Sequence, residues 1–366
     1  MSNKLAVNAT KLMSALNAVV QAKLPTMIHG SPGMGKSACV RTVANQLKIG
    51  FIDCRLSQLE PVDLRGVPSV VNGQTKWNTP DFFPTEGEGI LFLDEANQAS
   101  QSTQAAAYQL VLDRQLGDYK LPDGWAVVLA GNLLTDKAIV NQMSSALKNR
   151  LVHLYMTSDA EDWCDWALRS GTIHPSVIGF IRHEPDLLNA FTATDKKNVE
   201  ATKDSDAFFT QRTWEYASRI LYQCEQMPVG QARTETEAVL LTGAIGNKAA
   251  QQFRGYLKHY RNLPPLDFIL DKNNTVADIL KAYPPSNDPS VKQALATMLS
   301  FHVDRNNIDK MRDYWDAIFK EDPEYRVLIA RSVVVRDRSM GMLMINKVVN
   351  KNSPEYELLM DAVSIK

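Results

Sequence analysis

One segment combines glycines, a lysine and a hydroxyl group at the spacing of a phosphate-binding loop. Residues 30–37 read Gly-Ser-Pro-Gly-Met-Gly-Lys-Ser, which fits the pattern G-x-x-x-x-G-K-S. Glycines let backbone N–H groups turn towards a phosphate where a Cβ would obstruct them. Lys36 can reach the β- and γ-phosphates, and the Ser37 hydroxyl can bind Mg²⁺. We therefore predict a nucleotide site formed by Gly30, Ser31, Pro32, Gly33, Met34, Gly35, Lys36, Ser37 and Ala38.

Two adjacent carboxylates follow an apolar run further along the chain. The run Ile90-Leu91-Phe92-Leu93 precedes Asp94 and Glu95. Hydrolysis of a phosphate anhydride needs a metal anchor, a group that orients or deprotonates water, and cations near the leaving phosphates. Asp94 can hold Mg²⁺ together with Ser37, and Glu95 can activate the attacking water. Four apolar residues before Asp-Glu are a common pattern, so this interpretation depends on the phosphate loop upstream.

The elements around these motifs predict an α/β fold. Helical spacing of Val40, Val43, Ala44 and Leu47 predicts a helix directly after the loop. Apolar runs predict buried strands at residues 26–29, 51–55, 89–93, 126–130 and 151–155. Such strands, alternating with helices, predict a parallel sheet of the P-loop NTPase kind with helices on both faces. Ligands bind at the carboxyl ends of the strands in such sheets, and both motifs follow predicted strands.

Composition narrows the classes of function. The chain has 366 residues and a net charge of −1, so no global basic surface indicates nucleic acid. The four cysteines lack C-x-x-C spacing and are expected to be buried thiols. The six histidines show no metal-ligand spacing. The sequence shows neither a signal peptide nor an apolar run of membrane-spanning length, so the expected location is the cytoplasm.

The motifs occur in an order that resembles that of AAA+ ATPases, over about residues 10–260. Five segments resemble the Walker A, Walker B, sensor 1, arginine finger and sensor 2 motifs of that family: residues 30–37, 91–95, 130–132, 147–151 and 211–214. Residues 61–68 with the hairpin after them, and residues 109–114, resemble the MoxR branch. Many MoxR chains carry an arginine after Asp-Glu-x-Asn, where this chain has Gln98, so no role for that arginine carries over.

The resemblance implies a role for several further residues. Asn132 would hydrogen-bond the attacking water or the γ-phosphate, and Arg150 would reach into a neighbouring subunit's site. Arg212 would contact the γ-phosphate from a helical lid. A planar guanidinium group with a permanent charge suits phosphate oxygens. Considered singly, a surface salt bridge for Arg150 and a solvated helix start for Arg212 would be the simpler interpretations.

The resemblance also implies a division into three regions. Residues 1–157 would form the nucleotide-binding core, with a hairpin insert at about 59–89 in which Asn72-Gly73 predicts the turn. Residues 158–262 would form the α-helical lid, and residues 263–366 a helical region without a chemical motif. Amphipathic patterns at 208–222 and 235–257 predict helices, and the polar stretch 196–206 predicts a loop. A basic cluster of Arg331, Arg336 and Arg338 favours a solvent-facing helix.

Three functions are compatible with these observations. The first is a ring-forming, Mg²⁺-dependent ATPase, expected to be a homo-hexamer, that remodels or assembles a client protein, with a von Willebrand A-type partner implied by the MoxR resemblance. The second is a DNA- or RNA-associated AAA+ motor or loader, in which Lys76 and Trp77 of the hairpin would contact the strand. The near-neutral charge argues against it. The third is a nucleotide-dependent scaffold, against which the carboxylate of Glu95 argues.

Overall fold

The computed structural model describes residues 5–133, 141, 143, 145–194 and 205–348, and the chain divides into two compact units, residues 1–159 and 160–366. The predicted loop at 196–206 lies largely outside the described residues. No helix in the described part of the chain is long and apolar enough to cross a membrane. All four cysteines are buried thiols, which confirms the expectation for them.

The first unit is built on a parallel sheet of six strands. In spatial order the strands are β1 (Ala6–Val7), β10 (Val152–Met156), β2 (Thr26–His29), β9 (Trp125–Gly131), β6 (Gly89–Asp94) and β3 (Gly50–Arg55). Each strand runs parallel to its neighbours, with registers such as His29 opposite Gly131 and Tyr155 opposite His29. The predicted fold class and the five predicted strands are confirmed, whereas the short strand β1 was not predicted.

Helices cover both faces of this sheet. Ile28, Phe92 and Val128 are fully buried on one face, against helices α1 (Ala9–Gln21) and α2 (Lys36–Leu47). Met27, Leu91 and Leu129 are fully buried on the other face, against α3 (Pro61–Arg65) and α4 (Gln101–Asp113). Because side chains alternate between faces, a strand buried on both sides reads as one continuous apolar run. The short helix α5 (Ser145–Lys148) precedes β10.

Two antiparallel hairpins extend from the connections of the first unit. Strands β4 (Val67–Val71) and β5 (Gln74–Asn78) pair around Asn72-Gly73, where both residues have positive φ, +53° and +76°. That geometry belongs to a tight two-residue hairpin turn, and it confirms the predicted hairpin. Strands β7 (Gln115–Leu116) and β8 (Tyr119–Lys120) form the second hairpin.

Every described element of the second unit is a helix. In chain order they are α6 (Ala160–Ser170), α7 (Pro175–His183), the 3₁₀ turn Pro185–Leu187, α8 (Gln211–Glu225), α9 (Gln231–Ile245), α10 (Asn247–Arg261), α11 (Leu266–Leu270), α12 (Val276–Ala282), α13 (Pro289–His302), α14 (Ile308–Ile318), α15 (Pro323–Arg336) and α16 (Arg338–Val348). One apolar core surrounds Trp214 and Phe180, and a second surrounds Trp315. Helix α13 contributes to both cores, through Ala294 and Leu299.

The helical pattern at 235–257 is divided in the structure. Gly246 separates α9 from α10 with φ of +80°, and a Cβ there would lie 2.6 Å from the carbonyl oxygen of Ala207. A residue other than glycine would be strained at this backbone angle and would also collide with that carbonyl. The chain therefore turns at Gly246 although the apolar periodicity continues.

The solvent-facing interpretation of the C-terminal arginines is wrong for Arg331 and Arg336. Arg331 lies 3.0 Å from Asp165 and also contacts Glu161, so it joins α15 to α6. Arg336 donates a 2.7 Å hydrogen bond to the carbonyl oxygen of Ser300 in the last turn of α13. Both side chains reach across to other helices, which a pattern read along one helix does not reveal.

Candidate functional site

The predicted phosphate loop connects β2 to α2, and two of its glycines adopt left-handed backbone angles. Gly33 and Gly35 have φ of +73° and +86°, and α2 begins at Lys36, directly after Gly35. An added Cβ at Gly35 would meet no described atom within 4 Å. Left-handed backbone angles favour glycine, and the N-terminus of the helix favours an anion. The local geometry therefore suits a bound phosphate.

Lys36 is folded back onto this loop. Its Nζ atom donates hydrogen bonds to the carbonyl oxygens of Gly30 at 2.7 Å and Ser31 at 3.0 Å, and to Oδ1 of Asn132 at 3.2 Å. The residue is only 8% exposed. Phosphate oxygens can replace these oxygen acceptors, because they accept the same hydrogen bonds and add an opposite charge. Lys36 and Asn132, predicted from separate motifs, thus contact each other.

Ser37 and Asp94 form a second contact between predicted site residues. The Ser37 hydroxyl donates a 2.8 Å hydrogen bond to Oδ2 of Asp94, while the other carboxylate oxygen accepts from the backbone N–H of Glu95 at 2.8 Å. Burial, followed by the negative charge of Asp94, raises the pKa of the Asp53 carboxyl on the adjacent strand β3. An oxygen-only donor pair in a negative local field fits Mg²⁺, which prefers carboxylate and hydroxyl oxygens.

Glu95 has an unusual backbone conformation. Its φ is +56°, in the left-handed region that side chains other than those of Gly, Asn and Asp rarely adopt. The Ser57 hydroxyl donates a hydrogen bond to Oε2 of Glu95. Strained backbone angles of this kind cost about 1–3 kcal/mol and cluster at active sites. The turn after β6 thus holds the Glu95 carboxylate beside the sheet edge where Asp94 lies.

A pair of asparagines positions the end of β9. Asn97 Nδ2 donates to the carbonyl oxygen of Asn132 at 2.8 Å, and the Asn132 N–H donates to Asn97 Oδ1 at 3.1 Å. A Cβ on Gly131 would lie 2.3 Å from Asn97 Oδ1, so this approach requires glycine at that position. Asn97 is 5% exposed and therefore acts as an internal bracket for the Asn132 backbone.

The two predicted arginines lie on other segments of the chain. Arg150 is exposed and follows α5 by two residues, with its N–H donating to the carbonyl oxygen of Leu147 at 2.9 Å. Arg212 is exposed in the first turn of α8, whose N-cap is Thr210. Arg212 belongs to the second unit, and its contact with a nucleotide stays a prediction.

Sequence reasoning missed Ser57 and the bracketing role of Asn97. Ser57 lies in the 3₁₀ turn Leu56–Gln58, directly after β3. Its position just past the end of a predicted strand was the signal that could have marked it as a site residue. Asn97 follows Asp94-Glu95 by two positions, directly before Gln98. Both residues are polar and lie just past the end of a predicted strand, and this shared position could have identified them as site residues.

The comparisons with known proteins agree with this geometry at the level of the domain. Residues 26–157 match the family model described as ATPase family associated with various cellular activities (AAA), so the chain contains an AAA domain over that segment. No curated protein matches the sequence.

Several solved structures are similar to this chain at low sequence identity. A putative ATPase from Cytophaga hutchinsonii is 16% identical, with 69% of this chain and 90% of that chain covered and a TM-score of 0.37. A variant of RuvB from Thermotoga maritima is 14% identical, with 84% and 86% covered and a TM-score of 0.37. NtrX from Brucella abortus is 12% identical, with 99% and 69% covered and a TM-score of 0.33.

Proposed function

We propose that this protein hydrolyses ATP to ADP and phosphate at a site formed by the phosphate loop and the ends of β6 and β9. One observation carries the proposal: Lys36 contacts Asn132 at 3.2 Å while Ser37 contacts Asp94 at 2.8 Å. Residues from three separate motifs therefore meet at one sheet edge. The AAA family match to residues 26–157 supports the same activity.

The loop residues 30–38 bind the phosphates of ATP, and Lys36 neutralises their charge. Ser37 and Asp94 are the residues that would hold Mg²⁺, which when bound supplies positive charge against the β- and γ-phosphate oxygens. Lys36 must leave its carbonyl partners on Gly30 and Ser31 when a phosphate arrives. Because these partners are uncharged, the exchange favours the nucleotide.

Glu95 activates the attacking water. Its carboxylate accepts a hydrogen bond from Ser57 and can accept one from water in the same way. Asn132, held by Asn97, offers its amide to the water or the γ-phosphate, and its contact with Lys36 supports this role. Positioned polar groups of this kind lower the barrier because they need little rearrangement during the reaction.

The site is completed by a second subunit in a homo-hexameric ring. Arg150 is exposed in this chain, as a finger that contacts the neighbour's γ-phosphate must be. A head-to-tail interface that closes into a ring presents each Arg150 to the next subunit's loop. Arg212 of the helical lid contacts the γ-phosphate of its own subunit and converts hydrolysis into movement of the lid.

The client is a protein, as in the MoxR branch that the motifs resemble, and a von Willebrand A-type protein is the partner class that this resemblance suggests. The hairpin β4–β5 supports a protein client, because it exposes Val67 by 63%, Val70 by 77% and Val71 by 48%. Exposed apolar side chains suit contact with protein, whereas nucleic acid would favour a basic surface.

Site variants of the full chain test the hydrolysis. Lys36→Ala should lose nucleotide binding and turnover. Glu95→Gln should still bind ATP, but its turnover should fall by at least about 100-fold, because only the activation of water is lost. Lys120→Ala and Glu86→Gln alter exposed side chains of the same unit and serve as matched controls. Parental turnover in Glu95→Gln would show that the proposed chemistry is wrong.

The client class is tested with the same trapped variant. Glu95→Gln loaded with ATP is isolated from its native cells, and the molecules that co-purify are identified. A von Willebrand A-type protein supports the proposal. Co-purifying nucleic acid, together with salt-dependent stimulation of the ATPase by DNA, would instead establish the motor or loader function.

A further inference from the structure

Two histidines connect the strand before the phosphate loop to the segment that carries Arg150. His29 is the last residue of β2 and directly precedes Gly30, while His153 lies in β10. The Nε2 atom of His29 lies 2.9 Å from Nδ1 of His153, and Nε2 of His153 lies 2.8 Å from the carbonyl oxygen of Lys148. The hydrogen-bonded chain thus runs from β2 through β10 to the end of α5.

The acceptor at the end of this chain fixes the positions of the protons. A carbonyl oxygen can only accept, so Nε2 of His153 carries the hydrogen that is donated to Lys148. In a neutral imidazole the other nitrogen is then an acceptor, so Nδ1 of His153 accepts from Nε2 of His29. His153 therefore has one defined tautomer and one defined ring orientation.

The ring of His29 is itself held in place. Tyr155 is its register partner on β10, and the two rings stack with centroids 4.6 Å apart and an interplanar angle of 12°. His29 also stacks on His153, with centroids 5.2 Å apart. Residues two apart on a strand share one face of a sheet, so these three rings lie together on one face. The ring of His153 is therefore held by its neighbours on the sheet, and it donates its hydrogen bond to the short helix α5 from that position.

The contact with Lys148 adds a tertiary hydrogen bond to the short helix α5, whose Leu147 is buried in the apolar core of the first unit. This helix has four residues, Ser145–Lys148, and a helix of this length is not stable without tertiary contacts. Carbonyl groups in the last turn of a helix lack intrahelical partners, and His153 supplies a donor to one of them. Lys148 precedes the exposed Arg150 by two residues. The hydrogen bond from His153, together with the burial of Leu147, therefore anchors the turn that carries Arg150.

We propose that His153, supported by His29, is a positioning residue for Arg150. This inference rests on the proposed function of Arg150 as a finger that acts on the neighbouring subunit. His153 then acts on the neighbouring subunit's site through Arg150. Its hydrogen bond with His29, however, joins it to the strand that precedes the phosphate loop of its own subunit. Loss of His153 should lower kcat about 10- to 100-fold with little change in KM, because a small displacement of a catalytic group has an effect of that size.

Mixed rings distinguish action on the neighbour from action within the subunit. A Lys36→Ala subunit has no working site but offers an intact Arg150 and His153. When the Lys36→Ala variant is mixed in equal amounts with Arg150→Ala, the rings should recover about a quarter of the parental activity. At about a quarter of the head-to-tail interfaces, the intact site of an Arg150→Ala subunit meets the intact Arg150 of a Lys36→Ala subunit. We expect the mixture of Lys36→Ala with His153→Ala to recover to the same level.

The outcomes separate the two proposals. Recovery with Arg150→Ala but not with His153→Ala would mean that His153 serves its own subunit's site, which overturns this inference and leaves the proposed function intact. Recovery with neither would overturn the trans-acting finger itself, and this inference with it.

A second pair of variants separates hydrogen bonding from packing. His153→Gln keeps a donor that can reach Lys148 and should regain part of the kcat, whereas His153→Phe keeps the ring and should not. Equal kcat in the two variants would contradict the positioning role. His259→Ala removes an exposed histidine of the second unit and is the control expected to match the parent, with thermal melts to confirm that each variant folds.

Discussion

The Nζ atom of Lys36 lies 3.2 Å from Oδ1 of Asn132, although 96 positions separate the two residues in the chain. The strand order explains this contact, because β2 and β9 are adjacent and His29 is in register with Gly131. The residues that follow these two partners therefore emerge side by side at one edge of the sheet. Asn132 is consequently in contact with the ammonium group of Lys36, which we propose binds the γ-phosphate.

Replacing Asn132 by alanine should reduce turnover more than nucleotide binding. The side chain offers its amide to water or phosphate, while the loop 30–37 retains its own backbone donors, so we expect kcat to fall about 100-fold with a KM within a few-fold of the parent. Steady-state ATPase kinetics measure both constants. Asn45→Ala, at an exposed position of α2, is the control. A raised KM with unchanged kcat would assign Asn132 to binding alone.

Gly131 should not tolerate alanine. The added Cβ would lie 2.3 Å from Asn97 Oδ1 and 2.7 Å from the Cε of Met27, so the bracket between Asn97 and Asn132 must open. Forcing a methyl group into a packed site costs about 1–3 kcal/mol of unfolding free energy. Denaturant titration measures the loss.

Gly243→Ala is the matched control for that experiment. Gly243 lies in α9, and a Cβ there would meet no described atom within 4 Å. Alanine should therefore stabilise the helix by about 0.5–1 kcal/mol. If Gly131→Ala were as stable as the parent, the close approach of Asn97 to the backbone would not be obligatory.

The sequence predicted the sheet and the loop better than the contacts within the site. Runs such as 26–29 and 89–93 are apolar on both faces because helices cover both sides of the sheet, so their identity as strands does not depend on which strand lies next to them. The contacts of Ser57 with Glu95 and of Asn97 with Asn132 do depend on strand order, which no local pattern specifies. The contact of Arg336 with Ser300 joins two helices, and a pattern read along one helix does not specify it either.

Ser37 should determine the magnesium requirement. Its hydroxyl and the Asp94 carboxylate are 2.8 Å apart, and both oxygens can serve the same ion. We expect Ser37→Ala to need at least about tenfold more Mg²⁺ for half-maximal ATPase activity, because loss of an oxygen ligand weakens metal binding. Ser37→Thr keeps the hydroxyl and should stay near the parent. Titrating Mg²⁺ after removal with EDTA gives the comparison, and identical curves for the alanine and threonine variants would exclude Ser37 as a ligand.

Arg336 should stabilise the second unit. Its guanidinium donates to the carbonyl oxygens of Ser300, Phe301 and Val303 at the end of α13, where no further helical turn follows. Arg336→Ala leaves these carbonyl oxygens, including those of the buried residues Ser300 and Val303, without that donor and should cost about 1–3 kcal/mol. Urea titration measures the change, with Arg219→Ala, an exposed residue of α8, as the control. Equal losses in the two variants would mean that Arg336 is only a surface charge.

His302 should make the stability of the second unit depend on pH. Burial lowers the pKa of the His302 imidazole below its ordinary value of 6.5, and the positive charges of Arg336 and then His174 lower it further. The folded state therefore keeps His302 neutral at pH values where the unfolded chain already binds a proton. Since the unfolded state then holds more protons, the unfolding free energy falls as the pH drops below 6.5, and the loss continues down to the lowered pKa.

The measurement is the difference in unfolding free energy between the parent and His302→Gln, which cannot titrate, from about pH 8 to about pH 5. The advantage of the parent should shrink, or its deficit grow, as the pH falls. His259→Gln removes an exposed histidine and should follow the parent more closely across the range. Arg336→Ala removes one of the two positive charges that lower the His302 pKa, so it should flatten the slope. Parallel curves for the parent and His302→Gln would mean that His302 has the same pKa in the folded and unfolded chain.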